Sequence, residues 1–163
     1  AGATFPAKQL NNNGDGTILD RRTGLIWQRC ANGQTNDASC SGTPTTAAWG
    51  TALNYCKNLN LAGKTWRLPN IAEFSSLIDL SITSPPYVNT ALFVNFPLSR
   101  TAAPPGPPPI YYFWSSTTAL SNASYAFVID FTTLAIATID AKSATSSGAG
   151  PDNSYHARCV SGP

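Results

Sequence analysis

Four cysteines, Cys30, Cys40, Cys56 and Cys159, constrain this chain more than any other feature, because an even set closes into crosslinks in only three pairings. Their spacing fits no zinc pattern: the C-x₂₋₄-C unit and its supporting histidines are missing. Disulfides formed in an oxidising compartment are the better reading. The stretch from Cys30 to Cys40 is polar and rich in Gly, Asn and Ser, with no reason to hold a shape by itself. A bridge between its ends supplies one, worth up to about 3 kcal/mol by loop-closure entropy. Cys56 falls within the apolar stripe of a predicted helix, so its partner must come from inside the fold, and Cys159 remains once the local pair is assigned. That second bridge would fasten the first helix to the last strand; the alternative is an isolated buried thiol at Cys56.

The other strong local signal is Lys64-Thr-Trp-Arg-Leu-Pro-Asn-Ile-Ala-Glu-Phe-Ser-Ser-Leu-Ile-Asp79. Asn70 is an N-cap whose side-chain oxygen can bond a free helical N–H, and Glu73 can return a bond to the cap's own N–H. Behind this capping box Ile71, Phe74, Leu77 and Ile78 recur at helical spacing, so one face of a short helix must lie on a core. A first helix is predicted over Thr46 to Asn60, with Trp49, Ala52, Leu53, Cys56 and Leu59 on one face and Gly63 as the positive-φ stop beyond it.

Length and composition bound the rest. At 163 residues the chain suffices for one domain, 1–163, with a single core. Charged residues make up 11%, against roughly 25% in an average soluble protein, so solubility rests on neutral polar groups. The net charge of +2 and pI near 8.4 lack the basic stripe of a nucleic-acid binder. No run of apolar residues is long enough to span a membrane. The Ala1-Gly-Ala start fits a processed secreted chain or a segment cut from a longer one.

In chain order, residues 1–10 are an irregular lead with Phe5 and Leu10 as anchors. Asn11-Asn-Asn-Gly-Asp-Gly-Thr17 is turn chemistry. It also matches the first half of a calcium loop, with oxygens at Asn11, Asn13 and Asp15 followed by Gly16, but Arg22 stands where a bidentate carboxylate is required. A turn is the expectation, with calcium the weaker alternative and no other cofactor. Strands over 17–20 and 25–29 form a hairpin through Arg21-Arg-Thr-Gly24. Arg21, Arg22 and Arg29 are expected near one another on it, as a solvated face or as a patch for sulfate, phosphate or carboxylate groups of a polysaccharide. Beyond Pro85 and Pro86 helix cannot continue; Phe93, Phe96 and Leu98 read as a lid over the core. Residues 102–109 read as a proline-rich, extended surface loop. Further strands are expected at 111–117, 125–131, 134–141 and 154–160. The order predicts an α+β fold: two short helices on a small twisted antiparallel sheet with long irregular loops.

With those residues in place, Asn13-Gly-Asp-Gly-Thr-Ile-Leu-Asp-Arg-Arg-Thr-Gly-Leu-Ile-Trp-Gln-Arg29, Ala52-Leu-Asn-Tyr-Cys56, Trp66-Arg-Leu-Pro-Asn70 with Glu73, Phe113-Trp-Ser-Ser-Thr117 and Ala157-Arg-Cys-Val160 together resemble the DUF1566 family. That family includes the C-terminal domain of the Legionella collagen-like adhesin. The Arg-Leu-Pro-x-x-x-Glu element is also similar to that of the formylglycine-generating-enzyme group. The resemblance implies a C-type-lectin-like architecture and a secreted or surface-displayed bacterial domain. From the adhesin relative it further implies trimerisation and binding of sulfated glycosaminoglycans. The lectin calcium-and-sugar signature is absent, with Trp114-Ser-Ser where Trp-Asn-Asp would be sought. The reactive cysteine pair of the formylglycine enzymes has no counterpart, because all four cysteines are assigned to structure.

No catalytic constellation is expected. His156 is the single histidine, Arg67 must find acceptors among Glu73, Asp79 or backbone carbonyls, and Asp130 and Asp140 on adjacent strands read as solvated rather than as a hydrolytic pair. The expectation is therefore an extracellular adhesive module, not an enzyme. It would recognise glycan through the aromatic faces of Tyr87, Tyr111, Tyr112 or Tyr125 and the arginines. The alternative is a structural subunit of a pilus or filament, packed against copies of itself.

Overall fold

The computed structural model describes residues 10–99, 109–133, 138–143 and 154–163. The proline-rich stretch 102–109 and the first half of the strand expected at 134–141 lie outside the described residues, Pro109 excepted. The architecture is α+β, but in place of one antiparallel sheet there are two. The first has the order β1 (Leu10–Asn12), β2 (Thr17–Asp20), β3 (Ile26–Gln28) and β9 (Val160–Ser161), all antiparallel. The second runs β4 (Thr46–Ala47), β8 (Tyr155–His156), β5 (Tyr112–Thr118), β6 (Tyr125–Asp130) and β7 (Thr138–Ala141), with β5 and β8 parallel and the other pairs antiparallel.

The second sheet exists because the expected closing strand over 154–160 divides. Ala157 O accepts from Asn32 N at 3.0 Å, and Cys159 is held by Gln28 through both backbone and side chain: Gln28 N donates to Cys159 O at 2.9 Å and Cys159 N to Gln28 Oε1 at 3.0 Å. Residues 157–159 thus cross from one sheet to the other. For the same reason Thr46 and Ala47 are not helical: they pair with His156 and Tyr155, and α1 spans only Trp49–Lys57.

Both predicted disulfides form, Cys30–Cys40 and Cys56–Cys159. The alternation of β5 sends Phe113 to one face and Trp114 to the other, and each face is covered. On one side α2 (Ile71–Ser75) buries Phe74 against Trp27, Phe113 and Phe131, with ring centroids 5.5, 6.1 and 6.3 Å away. On the other α1 buries Ala52 and Cys56 among Trp66, Leu68, Trp114, Val128 and Tyr155. Phe93 is fully buried and Phe96 partly so in the first core, as expected of a lid, while Leu98 is exposed.

The capping box is formed as the sequence predicts. Glu73 N donates to Asn70 Oδ1 and Asn70 N to Glu73 Oε2, both at 2.8 Å. The same carboxylate takes both arms of Arg67, at 2.8 and 2.6 Å, so one side chain caps the helix and fixes the segment that enters it. Partial burial opposes ionisation of Glu73, but the Arg67 hydrogen bonds and the Asn70 N–H hold its carboxyl below the usual range. The segment between joins the two sheets: Arg67 exchanges two backbone bonds with Val160, and Ser116 N donates to Pro69 O at 2.7 Å.

Candidate functional site

Arg21 and Arg22 sit exposed in the β2–β3 turn, which is closed by Gly24 N donating to Asp20 O at 2.8 Å and Arg22 N to Asp20 Oδ1 at 2.9 Å. Among the described residues neither guanidinium has a carboxylate partner, and the ion pair there is Arg67–Glu73. Arg29 does not join them. Thr17 pairs with Gln28, and Arg29 N donates to Gly16 O at 2.9 Å, so Arg29 lies at the opposite end of the hairpin. The separation is the run of strand from Gly16 to Arg21, roughly 17 Å at about 3.3 Å per residue. The expected three-arginine patch is therefore two exposed cations and a separate one. Arg29 is clamped by carbonyls, donating from Nε to Leu92 O at 3.2 Å, from Nη1 to Asp37 O at 3.2 Å and from Nη2 to Ala38 O at 2.7 Å.

Arg29 instead lines a pocket of about 430 Å³ between the β1–β2 turn and the Cys30–Cys40 ring, with Asn12, Asp15, Asn36, Asp37 and Ala38 around it. Gly16 forms part of its wall at φ +86°, where the Asn36 amide lies so close that a Cβ would come within 2.1 Å of its Oδ1. The positive φ there favours glycine. Asp37 Oδ1 accepts from Ser39 N, Ser39 Oγ and Ser41 N at 3.0, 2.9 and 3.0 Å, and Ser41 Oγ donates to Oδ2. These bonds, led by the Ser41 hydroxyl, lower its carboxyl to about 2.

The residues considered for calcium belong to this turn. Asp15 Oδ1 accepts from Thr17 N at 3.1 Å and Thr17 Oγ1 at 2.6 Å, and Asn13 Nδ2 donates to that same hydroxyl at 2.8 Å. Asn11 is exposed on β1, paired with Leu19. Asp15 and Asn13 thus serve the turn itself, as expected of Asx chemistry.

The four tyrosines do not form one platform. Tyr87 and Tyr111 are half-buried on either side of Phe131, whose backbone receives one and donates to the other. Tyr112 faces the opposite core, its ring 5.4 Å from Tyr155. Tyr125 is exposed at the far end of β6, paired with Ala141. Asp130 and Asp140 also separate: Asp130 pairs with Tyr112 and Asp140 with Ala126, four residues apart along β6. Asp140 accepts from the Tyr155 hydroxyl, whose own ionisation is pushed up by burial and by that carboxylate.

The feature that sequence reading missed is Arg158, 1% exposed and, among the described residues, without a carboxylate partner. Its Nη1 donates to the carbonyls of Gln28 and Arg29, and the guanidinium stacks over Phe93, Phe96 and Phe113 at 4.8, 5.4 and 5.6 Å. Burial lowers its pKa to about 9. His156, two residues earlier on the same face, is also buried, and burial pulls its pKa down. Both side chains lie inside the core, the His156 ring 5.5 Å from that of Phe113. A positively charged residue in an alternating strand reads as solvent-facing, and only the run of phenylalanines at 93, 96 and 113 hints at a cage.

An α+β domain drawn together by two buried disulfides is of the kind built for conditions outside the cytoplasm. The chain belongs to the Lcl C-terminal domain family, whose model matches residues 16–161. It is thus a bacterial surface- or adhesin-associated domain. No curated protein and no solved structure matches it.

Proposed function

We propose that this domain is an adhesive module that recognises anionic glycan at the bacterial surface or in the surrounding matrix. The observation that carries the reading is the β2–β3 turn, which presents Arg21 and Arg22 to solvent with no carboxylate partner among the described residues, on a frame fixed by hydrogen bonds that Asp20 accepts from Arg22 N and Gly24 N. Guanidinium forks suit sulfate and carboxylate oxygens, and cations with no ion-pair partner among the described residues need not break one of those pairs to bind. We read the architecture as C-type-lectin-like, supported by two helices, two disulfides, and early and late strands meeting in one sheet. The module is assigned no catalytic role and no cofactor.

The test is binding to sulfated and carboxylated polysaccharides at low and moderate salt, with an Arg21→Ala/Arg22→Ala variant. Affinity should fall by roughly tenfold or more in the variant and should weaken steeply with salt. Binding indifferent to both sinks the reading. A second reading, packing against copies of the chain in a trimer or filament, is favoured by exposed Leu120, Tyr125 and Ile139, the last on the strand that ends the second sheet. Light scattering separates them, since apolar association persists at high salt.

A further inference from the structure

We infer that the pocket between the β1–β2 turn and the Cys30–Cys40 ring is a second binding site, for a neutral saccharide. The inference rests on the glycan-binding reading for its ligand class, but it uses different residues. The pocket's volume, about 430 Å³, falls within the roughly 300–1,000 Å³ of small-molecule sites. Its groups come from two stretches of chain, the β1–β2 turn and the disulfide-closed ring, joined where Arg29 N donates to Gly16 O at 2.9 Å, and most are already fixed. Asp15 is oriented by Thr17, Asp37 by Ser39 and Ser41, and Arg29 by three carbonyls. A ligand entering there would not have to freeze them, which removes a usual cost of binding.

The same groups retain hydrogen-bonding capacity. Among the described residues the Asn36 amide has no partner, Asp15 engages only Oδ1, and Arg29 uses three of its five N–H donors. Charge then selects the ligand. Asp15 and Asp37 repel a sulfate or carboxylate, and Arg29 in the same wall repels a metal cation. What fits is an uncharged molecule offering donors and acceptors side by side. Adjacent sugar hydroxyls do so: each can donate to a carboxylate while accepting from the Asn36 amide or Arg29. Among the described residues no aromatic ring lines the pocket to stack on the sugar, so the affinity expected is roughly millimolar.

The experiment is an amide-shift NMR titration of the whole chain with glucose, galactose, mannose, N-acetylglucosamine and their disaccharides. At least one should give saturable shifts at Gly14, Gly16 and Asn36. Asn36→Ala should weaken binding several-fold. Ala38→Trp, which places a bulky ring at an exposed position of the lining without changing charge, should abolish it. Neither salt nor Arg21→Ala/Arg22→Ala should matter. The proposal is overturned if no sugar in the panel gives saturable shifts, if binding survives Ala38→Trp, or if calcium chloride saturates the same amides instead. A sulfated polymer that still binds Ala38→Trp but not the double arginine variant reports on the turn alone, so the two readings fail separately.

Discussion

Removing the two disulfides one at a time should cost unequal amounts. Cys56–Cys159 closes a loop of sequence separation 103, and Cys30–Cys40 one of 10. Loop-closure entropy assigns about 4.7 kcal/mol to the first and about 2.8 kcal/mol to the second. Environment widens the gap, because Cys56 and Cys159 pack in a hydrophobic core with Trp66 and Trp114 whereas Cys30 and Cys40, though buried too, belong to neither core, and alanines at 56 and 159 leave a small void worth roughly 1 kcal/mol more. Urea unfolding of Cys56→Ala/Cys159→Ala and of Cys30→Ser/Cys40→Ser, each with the other bridge intact, measures both. In a chain of this length about 5–6 kcal/mol corresponds to a fall in Tm of roughly 10–20 °C, with a larger m-value as the unfolded chain expands. If the long-range pair costs less than the local one, or less than about 2 kcal/mol, the argument from loop length fails here.

Glu73→Gln should destabilise by about 1–2 kcal/mol, since it weakens the Arg67 pair and the bond to the Asn70 N–H together. The folded carboxyl is depressed, so the contribution is present above the unfolded pKa near 4.5 and is lost as pH falls through the folded value. Unfolding curves of the variant and the parent should therefore converge in acid, and a constant gap counts against the ion pair. Arg158→Ala should cost about 3–5 kcal/mol by emptying the space beside Phe93 and leaving two carbonyls unpaired. Arg158→Met should recover part of that in the same urea assay, because both variants remove the buried charge but only methionine refills the volume; equal losses in the two variants refute the cage.

What was legible in the sequence was what short spacings decide. Asn70 and Glu73 stand three residues apart, and a capping box depends on little else. The polar stretch between Cys30 and Cys40 announced its bridge, and the stripe through Cys56 pointed to the distant one. What was not legible depends on where the chain goes after it leaves an element. Thr46 and Ala47 suit a helix until β8 arrives beside them, and residues 154–160 suit one strand until Gln28 takes hold of Cys159. The arginine patch failed for a related reason: a hairpin brings together residues at its turn, whereas Arg29 lies a strand's length away beside Gly16. The site proposed for a saccharide combines two polar stretches whose meeting no local pattern encodes.

The position of Cys159 has a mechanical consequence for a domain that would grip under flow. Tension applied beyond residue 163 can peel only residues 160–163 before it reaches the covalent link to α1. Tension applied ahead of residue 10 meets no such stop until Cys30, so β1, β2 and β3 can be stripped away first. Pulled from its two ends the molecule should yield asymmetrically, the amino-terminal side giving way at lower force.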